Sequence, residues 1–223
     1  MCFSAGASFA SGAVISAIGI FTAKEITKPA QRAFASIPIL FGLQQLAEGF
    51  LWLTFTGTDS LLVRKISTYI FLLTAQVIWS WLIPLSVLLI EEKPGRKKIL
   101  RVMVGIGLAL SVYYAFYLLF YKVNAQVLDC HILYITESPD SLALPTFILY
   151  LAVTIAPFFV SGIRNMYILG LIMALSCLVA AVFYKVYLTS VWCFFAAIIS
   201  IFIYLIIRKS RKMQPDAQGH YVT

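Results

Sequence analysis

The sequence predicts an all-α fold, a seven-transmembrane-helix bundle with its N-terminus outside and its C-terminus cytoplasmic. Three observations predict it. The 223 residues are 61% hydrophobic and only 12% charged, whereas a soluble domain carries roughly a quarter charged residues. Seven apolar stretches, each close to the roughly 20 residues that a spanning helix needs, fill the chain with little left over. The basic residues gather in connections of one parity.

The stretches run Ala5–Ala23, Phe34–Phe55, Ile66–Ile90, Ile99–Tyr121, Ala143–Ser161, Met166–Tyr184 and Thr189–Ile207. Residues 1–207 therefore read as a single membrane domain, and 208–223 as a basic, disordered cytoplasmic tail. Lys24, Lys28 and Arg32 follow the first stretch; Lys93, Arg96, Lys97, Lys98 and Arg101 follow the third; Arg164 follows the fifth; Arg208, Lys209, Arg211 and Lys212 follow the seventh. The other side holds only Arg64, Lys65, Lys122 and Lys185 of the 17 basic residues. Cytoplasmic connections carry the excess of Lys and Arg, which sets the orientation. The formal charge of +8 thus reports topology, and the partner it implies is a lipid bilayer and not nucleic acid. The first stretch begins almost at Met1 without a basic lead or a clear cleavage pattern, so it reads as a retained span.

Each helix has a face to explain. Helix 1 carries Ser4, Ser8, Gly12 and Ser16 four residues apart, with Gly19 three further on. Small residues at this spacing let two backbones approach closely in lipid, so this face reads as a packing seam and not as a serine-lined path. Helix 2 is the polar exception. Gln44, Gln45, Glu48 and Trp52 share one broad face at spacings of three and four. Glu48 is the one carboxylate inside a long apolar stretch. An acid at that depth is costly and points to a site, needing a partner, water, a bound cation or a proton. Helix 3 offers Gln76 and Ser80, with Trp79 and Trp81 nearby, and Pro84 should bend its cytoplasmic half. Helix 4 carries Tyr114, Tyr117 and Tyr121; the first two are deep enough to turn their hydroxyls toward Gln76 or Glu48. Pro157 implies a kink in helix 5, and helix 7 has a packing stripe.

The connection from about Lys122 to Ser141 is the one long extracytoplasmic loop. Loops of that length tend to be lids, ligand-binding segments or disordered. It holds Asp129, Cys130 and His131, the densest set of metal-competent side chains. Zinc favours Cys and His, with carboxylates as further ligands. On paper, a metal set of Cys2, Cys130, His131 and Glu48 assembles at the outer face, with Cys2, His131 and Glu48 leaving a catalytic position open. A Cys2–Cys130 disulfide with a solvated His131 accounts for the same residues, as do unrelated free groups. Removal of Met1 would give a third arrangement, an N-terminal Cys2 acting as nucleophile with His131 as its base. Helix 7 has no buried Lys for a retinal Schiff base, only two His occur in the chain, and no GxSxG, HExxH or P-loop pattern is present.

Met1-Cys2-Phe3-Ser4, Ala7-Ser8-Phe9, Phe41-Gly42, Gln44-Gln45, Glu48-Gly49 and Trp52 together resemble an uncharacterised family of small bacterial multispanning membrane proteins. The matching motifs cover helices 1 and 2. The resemblance implies a bacterial inner-membrane protein and puts Cys2 and the Gln44/Gln45/Glu48/Trp52 face among recurring motifs; it brings no activity.

The leading expectation is an outward-opening polar pocket centred on Glu48 that binds a small ligand or a divalent metal such as zinc, with Glu48, Cys2 and His131 as catalytic residues if the protein is an enzyme. Gln44, Gln45, Trp52, Gln76, Tyr114 and Tyr117 would line it. The alternatives are a transporter using Glu48 as a proton or cation relay, and a structural subunit of a membrane complex.

Overall fold

The computed structural model describes residues 4–57, 60–128, 131–136, 142–183 and 195–212. It is mostly helical, and five helices are long and apolar enough to cross a membrane. We number the helices α1 (Ala5–Lys24), α2 (Arg32–Thr56, entered through a 3-10 turn at Pro29–Gln31), α3 (Leu61–Ile90), α4 (Pro94–Phe120), α5 (Ala143–Val160), α6 (Met166–Phe183) and α7 (Ala196–Lys212). The first five are the candidate spans; α6 is apolar but shorter.

The small-residue face of α1 is the packing seam its spacing predicts. Gly12 lies against Leu46, Gly19 against Ile39, and Gly42 of α2 against Ser16. The partner number falls as the α1 number rises, so the two helices run antiparallel. A methyl group on Gly19 would sit 2.9 Å from the Ile39 backbone nitrogen, and one on Gly42 would overlap the Ser16 hydroxyl. Overpacking of this kind costs about 1–3 kcal/mol. Gly42→Val should therefore lower the thermal unfolding midpoint in detergent. Gly105→Ala, whose side chain meets open space, should leave it unchanged or raise it slightly through helix propensity.

Two helices begin earlier than their apolar stretches do. Ser60 caps α3 by accepting a hydrogen bond from the Val63 amide, which draws Arg64 and Lys65 into the helix. Pro94 opens α4 at its first position, where the missing N–H is no loss, so the basic run 96–98 is helical too. Within α3 the expected bend at Pro84 is accompanied by a larger departure upstream. Leu73–Ile78 forms a wide π turn, with the Trp79 amide donating to the Thr74 carbonyl. Neighbouring side chains satisfy its carbonyls: the Tyr150 hydroxyl donates to Ala75 O at 2.6 Å and the Ser111 hydroxyl to Val77 O at 2.9 Å. Pro84 cannot donate to the Ser80 carbonyl. That carbonyl lies against Gly107 of α4, so close that a methyl group there would overlap it.

The fold is not purely helical. The long connection after α4 contains an antiparallel hairpin, β1 (Val123–Leu128) and β2 (His131–Thr136), in register from Val123↔Thr136 to Leu128↔His131. The two runs are short and rich in β-branched residues with polar residues interleaved, a strand pattern that a search for 20-residue apolar stretches passes over. One face of the hairpin packs down on the bundle. Ala125 and Ile132 join Leu51 and Trp52 of α2 in one cluster, and the Tyr134 ring stacks on Phe71 of α3 at 4.6 Å.

The start of the seventh stretch, at Thr189, lies outside the described residues. Its end differs from expectation. α7 continues to Lys212, so Arg208–Lys212 are helical and not part of a disordered tail. Gln31 donates to the Ser210 hydroxyl at 3.1 Å, and Arg211 pairs with Glu25 at 3.0 Å, pinning this helix end to the α1–α2 connection.

Candidate functional site

The polar face of α2 turns into the protein. Gln44 and Gln45 are buried, Glu48 is 3% exposed and Trp52 is 5% exposed. The face survives there because other helices bring it partners. From α1, the Ser11 hydroxyl donates to Gln45 Oε1 at 3.0 Å, and Gln45 Nε2 in turn donates to Glu48 Oε2 at 3.3 Å. From α3, the Trp79 indole donates to Gln44 Oε1 at 2.9 Å, while its ring packs on Phe41 at 4.4 Å. One turn beyond Glu48, the Trp52 indole N–H is buried and has no hydrogen-bond acceptor among the described residues. The hairpin residues Ala125 and Ile132 pack beside this ring. On the other side of the glutamines the bundle turns apolar, with Ile15, Phe34, Ile37 and Phe41 in the main core cluster. The polar groups thus occupy the hairpin half of the molecule.

His131 begins β2, immediately before Ile132, and is buried and not solvated. Cys2 and Cys130, the other two members of the proposed zinc set besides His131 and Glu48, lie outside the described residues, and so does Asp129. Among the described residues no three His, Cys, Asp or Glu side chains gather where one metal ion could hold them.

The remaining expected pocket residues sit elsewhere. Gln76 is half-buried within the wide turn of α3, and the side chain that reaches from α3 to the glutamines is Trp79. Tyr114 turns toward α5, edge-on to Tyr150 at 6.1 Å and beside Thr146, not toward Glu48. Tyr117 belongs to an aromatic ladder on α4, 4.6 Å from Tyr113 and 4.8 Å from Tyr121.

Two participants do not stand out in the sequence. Ser11 sits at the edge of the small-residue face of α1, three residues beyond Ser8, and only the register of the α1–α2 seam sets it opposite Gln45. The other is a second buried carboxylate, Glu91, just past α3 at the opposite end of the molecule. Its Oε2 accepts from the Gly162 amide at 2.6 Å and the Ser161 hydroxyl at 3.2 Å, and its Oε1 from the Lys93 and Glu92 amides at 3.0 and 3.1 Å. Burial pushes this carboxyl up, but the donors from Gly162, Lys93, Ser161 and Glu92 outweigh it and hold the group below its ordinary value of 4.5. In the sequence, Glu91-Glu92 falls just past the third apolar stretch, which ends at Ile90.

No curated protein and no solved structure matches the chain. A family profile does match, and it extends from the Met1-Cys2-Phe3-Ser4 opening through both strands and on into α7 and beyond. With residues 1–218 matched, the chain belongs to a family of unknown function, DUF6629.

Proposed function

We propose that this is a seven-span protein of the bacterial inner membrane, N-terminus outside, that binds a small polar ligand in an outward-opening site at Glu48. The observation that carries the reading is the buried Trp52 N–H, one helical turn from a buried carboxylate and without an acceptor among the described residues. Leaving such a donor unpaired costs about 1–3 kcal/mol, and a bound polar atom would offset that cost. The complementary ligand carries a cationic or hydrogen-bond-donating group for Glu48 and an acceptor for Trp52. A small amino alcohol or a similar ammonium compound has both, and an indole face also favours a cation. Gln44 and Gln45, fixed by Trp79 and Ser11, orient it, and the hairpin forms the lid.

The apolar packing around Ile15, Phe34, Ile37 and Phe41 supports binding from one side over passage through the bundle. Transport, with Glu48 as a proton or cation relay, is the second reading. The wide turn at Leu73–Ile78 favours it, because such turns recur at functional sites within helices. Catalysis by Cys2 and His131, or zinc held by Cys2, Cys130, His131 and Glu48, requires the N-terminus and the hairpin tip to converge on Glu48.

Thermal-shift titration of the detergent-purified protein with methylammonium, ethanolamine and Zn²⁺ tests these readings. Ethanolamine should raise the midpoint and perturb tryptophan emission, and Trp52→Phe should weaken its binding. A zinc response lost in Glu48→Gln would support the metal site instead. Absence of any shift with both ammonium probes, with unchanged emission, would overturn the ligand assignment.

A further inference from the structure

The hairpin leaves the outer edge of β1 open. β1 pairs with β2 along its whole length, and among the described residues no further strand joins the sheet. On the outer side of β1 a groove of about 700 Å³ runs between the strand, the first turns of α3 and the end of α4. Residues 121–126 line it without a gap, and no residue of β2 does. Side chains of a strand alternate between the two sides of a sheet, so a cavity against either side would touch every second residue. The unbroken run means that the groove follows the backbone edge. Its opposite wall is one face of α3, with Leu61, Arg64, Lys65, Thr68 and Tyr69 at helical spacing. Leu61, Leu119 and Phe120, also in the lining, are strongly exposed apolar side chains.

An edge strand presents a row of N–H and C=O groups that invites another strand, and proteins commonly guard such edges with charge, proline or a bulge. β1 has no charged residue and no proline, and its six residues pair in continuous register without a bulge. We infer that the groove takes an extended segment of another protein, which adds to β1 as a third strand and sets alternate apolar side chains against Leu61, Leu119 and Phe120. A strand edge facing other walls across a groove is the geometry of strand addition: main-chain hydrogen bonds supply affinity, and pockets for alternate side chains supply specificity. The volume falls in the range of small-molecule sites, about 300–1,000 Å³, which suits a segment of a few residues and not a folded domain. A second copy of this chain does not fit by pairing β1 with β1, because the outer edge of its own β1 is bounded by its own α3 and α4. The strand site stands independently of the Glu48 reading.

The test is selection of a phage-displayed linear heptapeptide library on the full chain in detergent, followed by fluorescence anisotropy with the enriched peptides. Enriched sequences should carry apolar or β-branched residues at alternate positions. Only alternate N–H groups of an added strand face β1. N-methylation of the peptide in one phase should therefore weaken binding about fivefold for each hydrogen bond lost, and in the other phase should change it little. Hydrogen exchange of the β1 amides should slow when peptide is bound. Leu61→Asn/Leu119→Asn should weaken binding about tenfold through lost apolar contact, whereas Leu62→Asn, exposed but outside the lining, should not. Equal sensitivity to N-methylation in both phases, unchanged exchange in β1, or a library that yields no sequence above the detergent-only background would overturn strand addition. Self-association of the wild type that the enriched peptide dissolves would overturn the partner and assign the strand to a second copy. Circular dichroism of each variant separates lost binding from lost folding.

Discussion

Glu48→Gln should leave the bundle folded and weaken binding of the ammonium probe about 10- to 100-fold, whereas Glu48→Leu should unfold more easily than either the wild type or the glutamine variant. The difference follows from Gln45. Its amide bridges Ser11 and Glu48, and the Ser11 hydroxyl can donate or accept, since the Ser8 carbonyl lies 3.1 Å from it as an alternative acceptor. With glutamine at position 48, the Gln45 amide can keep its orientation and donate to the new carbonyl. It can also turn over, accept from the new amide and donate to Ser11. Either arrangement keeps the chain from Ser11 through Gln45 to position 48 paired, so along that chain the folded state should lose less than about 1 kcal/mol, the typical net contribution of one hydrogen bond. Leucine offers no acceptor. Whichever way Gln45 turns, one of its ends faces an apolar side chain in a buried site, and such an orphan costs about 1–3 kcal/mol. Binding responds differently, because hydrogen bonds to a charged group contribute about 1.5–3 kcal/mol and glutamine removes the charge. Unfolding midpoints and probe affinities measured on the three proteins separate the two effects. An unchanged affinity in Glu48→Gln would leave Glu48 with a structural role only.

How legible this is depends on what each residue needs. The apolar stretches and the α1 seam follow from local spacing, so Gly12, Gly19 and Ser16 announce their packing from their positions along the chain alone. Glu48 stands out because an acid is rare in such a context, and its glutamine neighbours share its face by helical periodicity. The contributions of Ser11 and Trp79 depend on which helices are neighbours and in what register, which single-helix patterns do not carry. Tyr114 shows the limit of depth as a criterion: it has the right height for Glu48 but faces Tyr150, because direction is set by tertiary packing. The hairpin escapes for a different reason. Its alternating strands are too short to register as spans, and its burial comes from contact with the helices beneath it, α2 and α3 foremost. Glu91 is hidden by a boundary: the same dipeptide is solvated if α3 simply ends there, and buried only because the α5–α6 connection folds over it.

Glu91→Ala should lower stability by about 1.5–3 kcal/mol at neutral pH, the range for hydrogen bonds to a charged group, and should remove an acid-dependent step from the unfolding curve. The carboxylate gathers donors from two connections, Glu92 and Lys93 on one side and Ser161 and Gly162 on the other. It thereby ties the end of α3 to the end of α5. Glutamine is not a substitute here. Its single carbonyl can serve one side only, and its amide group turns N–H toward N–H on the other, so Glu91→Gln should fall close to Glu91→Ala. This is the reverse of the tolerance expected at Glu48. The pH dependence has a definite sign. Because the folded carboxyl sits below its ordinary 4.5, the folded protein binds fewer protons at this group than the unfolded chain does. The stabilisation is present above its ordinary 4.5 and disappears as pH falls through the lower folded value. Midpoints of wild type and Glu91→Gln should therefore differ by a constant amount from about pH 7 down to about pH 5 and converge below it. Parallel curves through that acid range would mean that the clasp does not hold a charged carboxylate, and the four donors around Glu91 would then need another explanation.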